Sequence, residues 1–415
     1  MDQATSSKSF AISKHLVVQA YELVKSNRGG AGIDRVSLDD FEKDRANQLY
    51  KVWNRLSSGS YHPPPVRRVD IPKATGGTRP LGIPTVADRI AQMVVKLMIE
   101  PMIEPLFHRW SYGYRPGVSA LDAVAAARRN CWAVPWVVDV DIRGFFDTID
   151  HSLLLKAVRR HVTESWQILY IERWLKAPVL MTDGTVVERD SGTPQGGVIS
   201  PLLANLFLHY VFDAWMDREQ GTVKFERYAD DIICHCASRR QAEELMEALR
   251  YRFSSCGLTL HPDKSKIVFC RSNRQQGSYP ATRFTFLGYE FRPRRSMDRR
   301  GAIFMAFLPA ISPVKVKAIR ERIRQLTSPD RTIRSLTHLV YDMNPVIRGV
   351  YNYFGRFGKG VLHRQVGRYI NDRIMHWGRR KYKRLRGSWY KAGKWVRRLI
   401  RERPGLFCHW PAVTG

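Results

Sequence analysis

The chain has 415 residues, of which 44% are hydrophobic and 26% are charged. This composition is typical of a globular protein with two or three cores, and it excludes a wholly disordered or fibrous chain. Lys and Arg number 68 against 38 Asp and Glu, which gives a formal net charge of +30. An excess this large indicates a polyanionic partner, nucleic acid before an anionic membrane surface.

The positive charge is concentrated towards the C-terminus. Residues 291–415 hold 30 Lys and Arg against 6 Asp and Glu, whereas the first 290 residues hold 38 against 32. The basic surface is therefore predicted to be mostly C-terminal. The N-terminal two thirds carry nearly equal numbers of positive and negative charges and are predicted to have another task.

The cysteines and the N-terminus predict the compartment. Six cysteines in a chain of this length form no disulfide framework, and the first ten residues hold no apolar signal core. We therefore expect a reducing, cytosolic setting.

The alternation Cys234-His235-Cys236 lacks a second pair of ligands, which argues against zinc. The longest uncharged run, residues 191–212, is interrupted by prolines and predicts a loop leading into a buried helix, not a membrane span.

Periodicity and turn residues predict the elements in chain order. Residues 1–60 are predicted to be helical and polar, with a glycine-rich break at residues 28–32. Prolines at 63–65 fix the backbone and exclude a helix there. Residues 66–84 alternate like a two-stranded ribbon with its turn at residues 74–77. The later predicted elements are helices over 86–108, 153–174 and 241–253, a strand over 136–142 and a hairpin over 227–237.

Near residue 292 the sequence becomes strongly cationic and helical. Ser312 followed by Pro313 predicts a helix start, because serine caps a helix and proline suits its first position. One apolar stripe follows at helical spacing, formed by Val316, Ile319, Ile323 and Leu326. The tail over residues 379–403 interleaves Lys and Arg with three aromatic residues, a combination suited to nucleic acid: Trp389, Tyr390 and Trp395.

The strongest chemical signal is a pair of acidic sites, and the first lies in the predicted strand 136–142. Strand alternation places Asp139 and Asp141 on one face of this strand. The opposite face takes the apolar residues Val138, Val140 and Ile142.

The second acidic site is Asp230 and Asp231 at the turn of the predicted hairpin. Two adjacent carboxylates at a turn repel each other unless a cation neutralises them. Hard divalent cations such as Mg²⁺ prefer these oxygen ligands. With Asp141, the three carboxylates suit a two-metal site, in which one ion activates a hydroxyl and the other stabilises the leaving pyrophosphate.

These segments resemble the motifs of reverse transcriptases. Residues 228–231 (YADD) resemble the YxDD box of that family, and residues 141–147 (DIRGFFD) resemble its first catalytic-aspartate motif. Residues 191–205 (SGTPQGGVISPLLAN) are similar to the intervening motif in its group II intron form. Further segments match the family in order: residues 79–84 and 111–117 in the fingers, 257–264 and 284–289 in the palm, and 344–354 in the maturase-specific segment of group II intron-encoded proteins.

The resemblance implies an α+β right-hand polymerase, in which fingers and palm with an antiparallel sheet precede an α-helical thumb and maturase region. The implied domains are an N-terminal extension and fingers (1–125), the palm or reverse transcriptase catalytic core (126–295), the helical thumb/maturase domain (296–375) and a basic nucleic-acid-binding tail (376–415). With Cys408 the last cysteine and no cysteine pairs after residue 300, the chain resembles the endonuclease-lacking type.

The metal-binding residues are implied by the same resemblance. Asp141 and Asp230 are expected to be the main ligands of two Mg²⁺ ions, and Asp231 a supporting carboxylate. The resemblance favours Asp141 over Asp139, because the aromatic residue five positions later must line the sugar pocket. These three aspartates form the expected catalytic set.

The nucleotide-binding residues also follow from the resemblance. Phe146 is expected to crowd a 2′-hydroxyl and so to favour deoxynucleotides. Lys73 and Arg79 are expected to neutralise the incoming triphosphate. Gln195 is expected to lie against the nascent base pair, and Lys264 is a candidate proton donor to pyrophosphate.

Each nucleotide contact has a structural alternative that the sequence leaves open. Phe146 could be a core aromatic residue, since aromatic side chains dominate cores. Lys73 and Arg79 could be solvated charges of a hairpin. Lys264 could be an ordinary exposed lysine, and Lys266 lies close to it in the sequence.

The implied activity is Mg²⁺-dependent copying of RNA into cDNA, together with binding of group II intron RNA for splicing and mobility. Expected partners are the intron RNA, an RNA template/DNA primer duplex, a DNA target and deoxynucleoside triphosphates, in a cytoplasmic ribonucleoprotein without membrane association. Two alternatives stay open. One is a non-catalytic splicing maturase, against which the intact Asp141, Asp230 and Asp231 argue. The other is a group II-derived reverse transcriptase recruited to host defence or DNA repair.

Overall fold

A computed structural model gives the structure of the protein and describes residues 10–72, 77–298 and 300–410. The chain forms two compact units, each built from two stretches of sequence. The first unit comprises Met1–Ser119 and Val138–Lys266, and the second comprises Ala120–Val137 and Ile267–Gly415.

The α-helices of the described residues are, in chain order, α1 (Lys14–Ser26), α2 (Leu38–Lys43), α3 (Arg45–Ser57), α4 (Val86–Ile103), α5 (Ala120–Ala133), α6 (Phe145–Thr148), α7 (His151–His161), α8 (Ser165–Lys176), α9 (Ser200–Leu208), α10 (Ala214–Glu219), α11 (Arg239–Ser254), α12 (Pro313–Leu326), α13 (Leu336–Phe354), α14 (Lys359–Leu362), α15 (Arg368–Lys381) and α16 (Trp389–Glu402). The strands are β1 (Val66–Pro72), β2 (Thr78–Ile83), β3 (Trp136–Asp141), β4 (Val179–Leu180), β5 (Val186–Val187), β6 (Lys224–Tyr228), β7 (Asp231–Cys236), β8 (Lys266–Phe269), β9 (Phe284–Phe286), β10 (Tyr289–Met297) and β11 (Ile303–Ile311).

The first unit contains two sheets. In one, the strand order is β2-β1-β4-β5, with β1 antiparallel to β2 and parallel to β4. In the other, β6, β7 and β3 lie side by side, and β6 and β7 form an antiparallel hairpin. The predicted ribbon and the predicted hairpin are therefore confirmed. Lys73 and residues 74–76 of the predicted turn lie outside the described residues.

Helices α4 and α9 supply much of the core of the first unit, because both are apolar around most of their circumference. Helix α9 follows a loop over residues 191–199, as the uncharged run predicted. The fully buried side chains of these two helices include Ile90, Val94, Ile99, Leu203 and Leu206.

Two helix predictions were wrong in their extent. The predicted helix over 153–174 is two helices, α7 and α8, because the chain becomes extended at Val162 (φ −103°, ψ 112°). Val162 and Thr163 are β-branched, which disfavours helix. The predicted helix over 86–108 ends at Ile103 and continues as one 3₁₀ turn, whose Pro105 has no N–H to extend the α-helical pattern.

The second unit combines helices with an antiparallel sheet of order β11-β10-β9. Helix α5 belongs to this unit, and the Trp132 indole N–H donates to the Phe307 carbonyl oxygen of β11 at 3.0 Å. Ser312 caps α12 by accepting from the Lys315 N–H, which confirms the predicted helix start. Of the predicted apolar stripe, Val316, Ile323 and Leu326 are buried and Ile319 is half-buried.

The three aromatic residues of the basic tail differ in exposure, although the sequence suggested one shared role. Trp389 and Tyr390 are 46% and 68% exposed. Trp395 is buried in α16, close to the Cα of Gly378, where an added Cβ would lie 2.5 Å from the indole. Trp395 therefore serves the core, whereas Trp389 and Tyr390 keep exposed surface, although Arg379 lies over the Trp389 ring at 4.1 Å.

None of the helices in the described ranges is both long and apolar enough to cross a membrane. The predicted division into fingers, palm, thumb and tail concerns function and is not tested by the compactness of the two units. It stays a prediction.

Candidate active site

Strand β3 presents two carboxylates at its C-terminal end. Val138 and Val140 are buried, while Asp139 and Asp141 alternate with them, as the sequence pattern predicted. The Asp141 side chain is 42% exposed and the Asp139 side chain only 14%. Asp141 is therefore the carboxylate that a ligand in solution can reach.

The backbone of Asp141 is held by the segment that follows α11. Its N–H donates to the Ser265 hydroxyl at 3.1 Å, and its carbonyl oxygen accepts from the His261 N–H at 2.8 Å. The Ser265 hydroxyl also lies 3.2 Å from the Asp141 carbonyl oxygen. These bonds fix the end of β3, and with it the position from which the Asp141 side chain projects.

The same segment places one lysine beside each carboxylate. Lys264 Nζ lies 3.6 Å from Asp141 Oδ1, and Lys266 Nζ lies 3.8 Å from Asp139 Oδ2. Burial raises the pKa of Asp139 to about 7; the Lys266 charge opposes this shift and the Asp141 charge adds to it. Of the two lysines that the sequence left open, Lys264 is thus the one next to the exposed carboxylate.

Asp230 occupies the tip of the β6–β7 hairpin. Tyr228 pairs with Asp231, which leaves Ala229 and Asp230 as a two-residue turn. Ala229 has a φ of +55°, a left-handed conformation that costs energy in a residue with a side chain. Gly113 lies directly against this turn, because a Cβ there would be 2.4 Å from the Ala229 nitrogen. The tip is therefore held in a strained conformation by close packing.

Asp141 and Asp230 are close enough to act on each other electrostatically. Burial raises the pKa of Asp230, and the negative charge of Asp141 raises it further. A backbone hydrogen bond and the positive charge of Arg79 act in the opposite direction. The structure therefore brings the two carboxylates that the sequence ranked as the main ligands near each other, one from the end of β3 and the other from the β6–β7 turn.

The third predicted carboxylate is placed differently. Asp231 is half-buried and is the first residue of β7, where it takes part in the ladder with Tyr228. Across residues 10–72, 77–298 and 300–410, no three His, Cys, Asp or Glu side chains are grouped closely enough to hold a metal ion together. The pair Asp141 and Asp230 marks the candidate site, and the metal-binding roles of all three aspartates stay predictions.

The predicted nucleotide-binding residues Arg79 and Gln195 are in contact. Arg79 Nε donates to Gln195 Oε1 at 2.8 Å, and the Gly82 N–H donates to the Gln195 carbonyl oxygen at 2.8 Å. Gly196 has a φ of +124°, and a Cβ there would lie 2.5 Å from the Gly82 carbonyl oxygen. The loop over residues 191–199 therefore needs glycine to pack against β2.

Phe146 is almost completely buried. Its ring lies edge-on to Phe145, with the centroids 5.3 Å apart, and its carbonyl oxygen accepts from the Thr193 N–H at 2.7 Å. The structure thus ties Phe146 to the loop that carries Gln195. Its contact with a sugar stays a prediction beside its role in the core.

A buried network behind the hairpin tip was missed by the sequence reasoning. Arg227 is fully buried and donates to Asp213 at 2.7 Å and to Asn205 at 3.0 Å. Asn205 donates in turn to the Gly113 carbonyl oxygen at 2.6 Å, and Arg227 also reaches the Ala229 carbonyl oxygen at 3.4 Å. The composition of β6 carries no clear signal for this network, because Lys224 and Glu226 lie in the same short strand as Arg227.

A second missed network supports the loop that carries Gln195. Gln92 is buried in α4, and its side-chain oxygen Oε1 accepts from the Val198 N–H at 2.7 Å. Its amide donates to Asp88 at 3.0 Å. Asp88 and Gln92 lie four residues apart on one face of a helix, and this spacing predicts that they pair with each other. It does not predict that Gln92 also binds the loop over residues 191–199.

The hairpin-tip carboxylate and the strand-end carboxylate both lie in a part of the chain that matches a known family of polymerases. Residues 71–291, more than half of the chain, match the family described as reverse transcriptase (RNA-dependent DNA polymerase). Residues 316–395 match the group II intron maturase-specific domain. The chain therefore belongs to the reverse transcriptase family, in its group II intron maturase branch.

Several curated proteins are similar to the chain. Protein YkfC of Escherichia coli is 32% identical over 319 residues, which cover 68% of this chain and 81% of YkfC. The group II intron-encoded protein LtrA of Lactococcus lactis subsp. cremoris is 37% identical over 244 residues, 55% of this chain and 40% of LtrA. A putative COX1/OXI3 intron 2 protein of Saccharomyces cerevisiae is 30% identical over 86% of this chain and 45% of its own length. The chain thus spans less than half of these two intron proteins.

Proposed function

We propose that the protein is an RNA-directed DNA polymerase that copies RNA into cDNA and also binds group II intron RNA to assist splicing and mobility. The observation that carries the proposal is the pair formed by Asp141 at the end of β3 and Asp230 in the β6–β7 turn. The charge of Asp141 raises the pKa of Asp230, the charge of Arg79 lowers it, and Lys264 lies 3.6 Å from Asp141. Membership of the reverse transcriptase family and the maturase-specific match support it. The protein would act as a cytoplasmic ribonucleoprotein, with a DNA target as a further partner.

The donor set fits Mg²⁺. The two repelling carboxylates offer hard oxygen ligands, and Mg²⁺ is usually bound by one or two carboxylates together with water and substrate phosphates. Asp141 and Asp230 would hold two Mg²⁺ ions, with Asp231 as a supporting carboxylate. Bound there, the ions would lower the pKa of the attacking 3′-hydroxyl and neutralise charge on the phosphates.

The side chains of the protein would position the nucleotide around this pair. Arg79 uses Nε to bind Gln195, so its remaining guanidinium donors can face the triphosphate. Gln195 would lie against the nascent base pair, and Phe146 would limit space at the sugar 2′ position. Lys264 would give a proton to the leaving pyrophosphate. Lys73, outside the described residues, is assigned to the triphosphate with Arg79.

The finer architecture belongs to the same proposal. Residues 1–125 would form the N-terminal extension and fingers, 126–295 the palm, 296–375 the thumb and maturase domain, and 376–415 a basic tail on nucleic acid. The concentration of positive charge after residue 291 supports the last two assignments, because duplex RNA is held mainly through its phosphates and shape.

Primer extension tests the polymerase. We expect the full-length protein to extend a DNA primer on an RNA template with Mg²⁺ and to stop when EDTA removes the metal. Asp141→Asn and Asp230→Asn should each lower the rate by about a thousandfold, since several kcal/mol of transition-state stabilisation are lost. Asp263→Asn, which removes an exposed carboxylate from the same segment as Lys264, should keep the wild-type rate.

The outcome also separates the alternatives. If the wild-type protein makes no cDNA under these conditions, the polymerase proposal fails and a non-catalytic maturase is favoured. For the intron role, the DNA around the gene should encode a group II intron RNA, and adding the protein should speed splicing of that RNA. Absence of such an RNA would favour recruitment to defence or repair.

A further inference from the structure

The second unit contains a cationic cavity of about 850 Å³, formed mainly by residues after 291, whose ligand the proposal above does not specify. Its walls come from four parts of the unit: β10, β11, α5 and the turn with short helix that follows α13. Seven positive side chains line it: Arg292, Arg294 and Arg295 on β10, Arg128 on α5, and Arg356, Lys359 and Arg364 after α13. Seven cations converge here from segments far apart in the sequence.

The charge of the cavity is poorly balanced by acidic side chains. Glu290 pairs with Arg292 at 3.0 Å and with Arg294 at 3.3 Å. Four other cations of the cavity form no ion pair within the described parts of the chain: Arg295, Arg356, Lys359 and Arg364. The cavity therefore carries a net positive charge of several units.

The surroundings of Arg294 show that the positive charges of the cavity repel one another. Its side chain is only 12% exposed, and it is anchored by the Leu308 carbonyl oxygen at 3.1 Å as well as by Glu290. Burial lowers the pKa of Arg294, and the positive charge of Arg292 lowers it further. Like charges held together at this cost indicate a site for an anion, which would relieve the repulsion.

Apolar residues also line the cavity, which limits the kind of anion. They include Pro293, Met305, Leu308 and Pro309. A single phosphate would leave most of the volume and all of this apolar surface unused. A strand of nucleic acid offers several phosphates to guanidinium groups and also ribose and base faces to apolar side chains.

We propose that this cavity is a binding site for the phosphodiester backbone of a single-stranded RNA segment. The proposal rests on the proposed function for its choice of RNA, and it is independent of the polymerase chemistry. Guanidinium groups bind phosphate oxygens in a bidentate manner, which suits arginine over lysine at six of the seven cationic positions.

Binding of a fluorescent oligouridylate of about 20 nucleotides to the full-length protein tests the site. The measurement is made by anisotropy in EDTA, without nucleotides, over about 50–200 mM salt. The variant Arg356→Ala/Lys359→Ala/Arg364→Ala removes exposed cations and leaves the anchored Arg294 in place. The matched control, Arg239→Ala/Arg240→Ala/Arg250→Ala, removes the same charge from exposed positions of α11.

We expect the cavity variant to bind oligouridylate about tenfold more weakly than the wild type at about 100 mM salt. The slope of log affinity against log salt concentration should become smaller in magnitude by about 2, since each of the three lost phosphate contacts on a single strand contributes about 0.7. The control should change both values much less. A 4-thiouridine-containing oligouridylate should crosslink to peptides of residues 355–364 in the wild type. Equal losses in the two variants would overturn the proposal, because binding would then depend on total charge alone.

A second arm separates RNA from a small anion. If inorganic tripolyphosphate raises the melting temperature through the same three residues while oligouridylate binding is unchanged in the variant, the cavity takes free polyphosphate and the proposal is wrong. Because no step needs catalysis, failure of primer extension leaves this result intact. Loss of the cavity effect likewise leaves the polymerase test intact.

Discussion

Asp88 shows how strongly a single residue of this fold depends on its surroundings. It is fully buried in α4, and burial raises its pKa to about 6. Hydrogen bonds from Tyr61 at 2.8 Å, Trp174 at 2.8 Å and Gln92 at 3.0 Å oppose that shift, because they favour the charged form. The three donors therefore limit how far burial raises the pKa of this carboxyl group.

This shift predicts a pH-dependent stability with a definite sign. Between about pH 4 and pH 6 the unfolded chain has lost the Asp88 proton while the folded protein keeps it, so stability falls as the pH rises. The free energy of unfolding of the wild type, minus that of Asp88→Asn, should therefore fall by about 2 kcal/mol from about pH 4 to pH 7. Chemical denaturation at a series of pH values measures the difference.

Asp40→Asn is the control for that experiment. The pKa of Asp40 is lowered to about 2, first by its hydrogen bond from Lys43, so this group is ionised in both states over most of the same range. The corresponding difference for Asp40 should be nearly flat above about pH 5. A flat curve for Asp88 as well would contradict its burial as the cause of the shift.

At the scale of elements, the hairpin tip depends on a neighbouring segment. The Tyr112 N–H donates to the Arg227 carbonyl oxygen at 2.8 Å, so the chain around Gly113 runs alongside β6. Gly113 has no room for a side chain, since its Cβ would also lie 2.9 Å from the Tyr228 carbonyl carbon. The position of Asp230 is therefore set by a glycine far away in the sequence.

Gly113→Ala should consequently impair catalysis by displacing the tip. We expect primer extension to fall more than tenfold, because misplacement of a reacting group by about 1 Å can cost a hundredfold. Gly184→Ala is the control: its φ of +90° makes alanine strained, but among the described residues no atom beyond its two chain neighbours lies within 4 Å of the added Cβ. That variant should lose roughly 1 kcal/mol of stability and keep its activity. Equal activity losses in both would contradict displacement of the tip and assign the effect to a general loss of stability.

The elements with clear periodicity were predictable from the sequence, and the contacts between them were not. The β6–β7 hairpin and the β1–β2 ribbon follow from residue alternation, and the start of α12 follows from Ser312 and Pro313. The break between α7 and α8 was missed because the apolar residues on either side fit one helical period. Local patterns give each element but not how it is interrupted.

The candidate site was predictable to the same degree. Asp141 and Asp230 were assigned because short motifs carry them, and the structure places them within electrostatic reach of each other. The supporting residues Gln92 and Arg227 were missed, because their partners are more than 100 and 14 residues away respectively. A resemblance to a family gives the residues that contact substrate but not those that hold them in place.

At the scale of the whole molecule, the chain leaves the first unit after Ser119, contributes Ala120–Val137 to the second, and then returns. This excursion is part of the core of the second unit. Trp136 packs on Phe269 with ring centroids 5.0 Å apart, and the Pro135 carbonyl oxygen accepts from the Cys270 N–H at 2.7 Å. The second unit is therefore incomplete without residues 120–137, which lie in the sequence between the two stretches of the first unit.

Residues 267–415 alone should consequently fail to fold cooperatively, because β11 would lose the helix that covers it and expose apolar residues such as Phe307. Joining residues 120–137 to 267–415 through about 15 Gly and Ser residues should restore a cooperative thermal transition, measured by circular dichroism. In the joined chain, Ala127→Asp should abolish that transition, since Ala127 is fully buried and its replacement carries a charge. A cooperative transition of residues 267–415 alone, at the same midpoint as the joined chain, would show that α5 is dispensable and that the second unit folds from its C-terminal stretch without it.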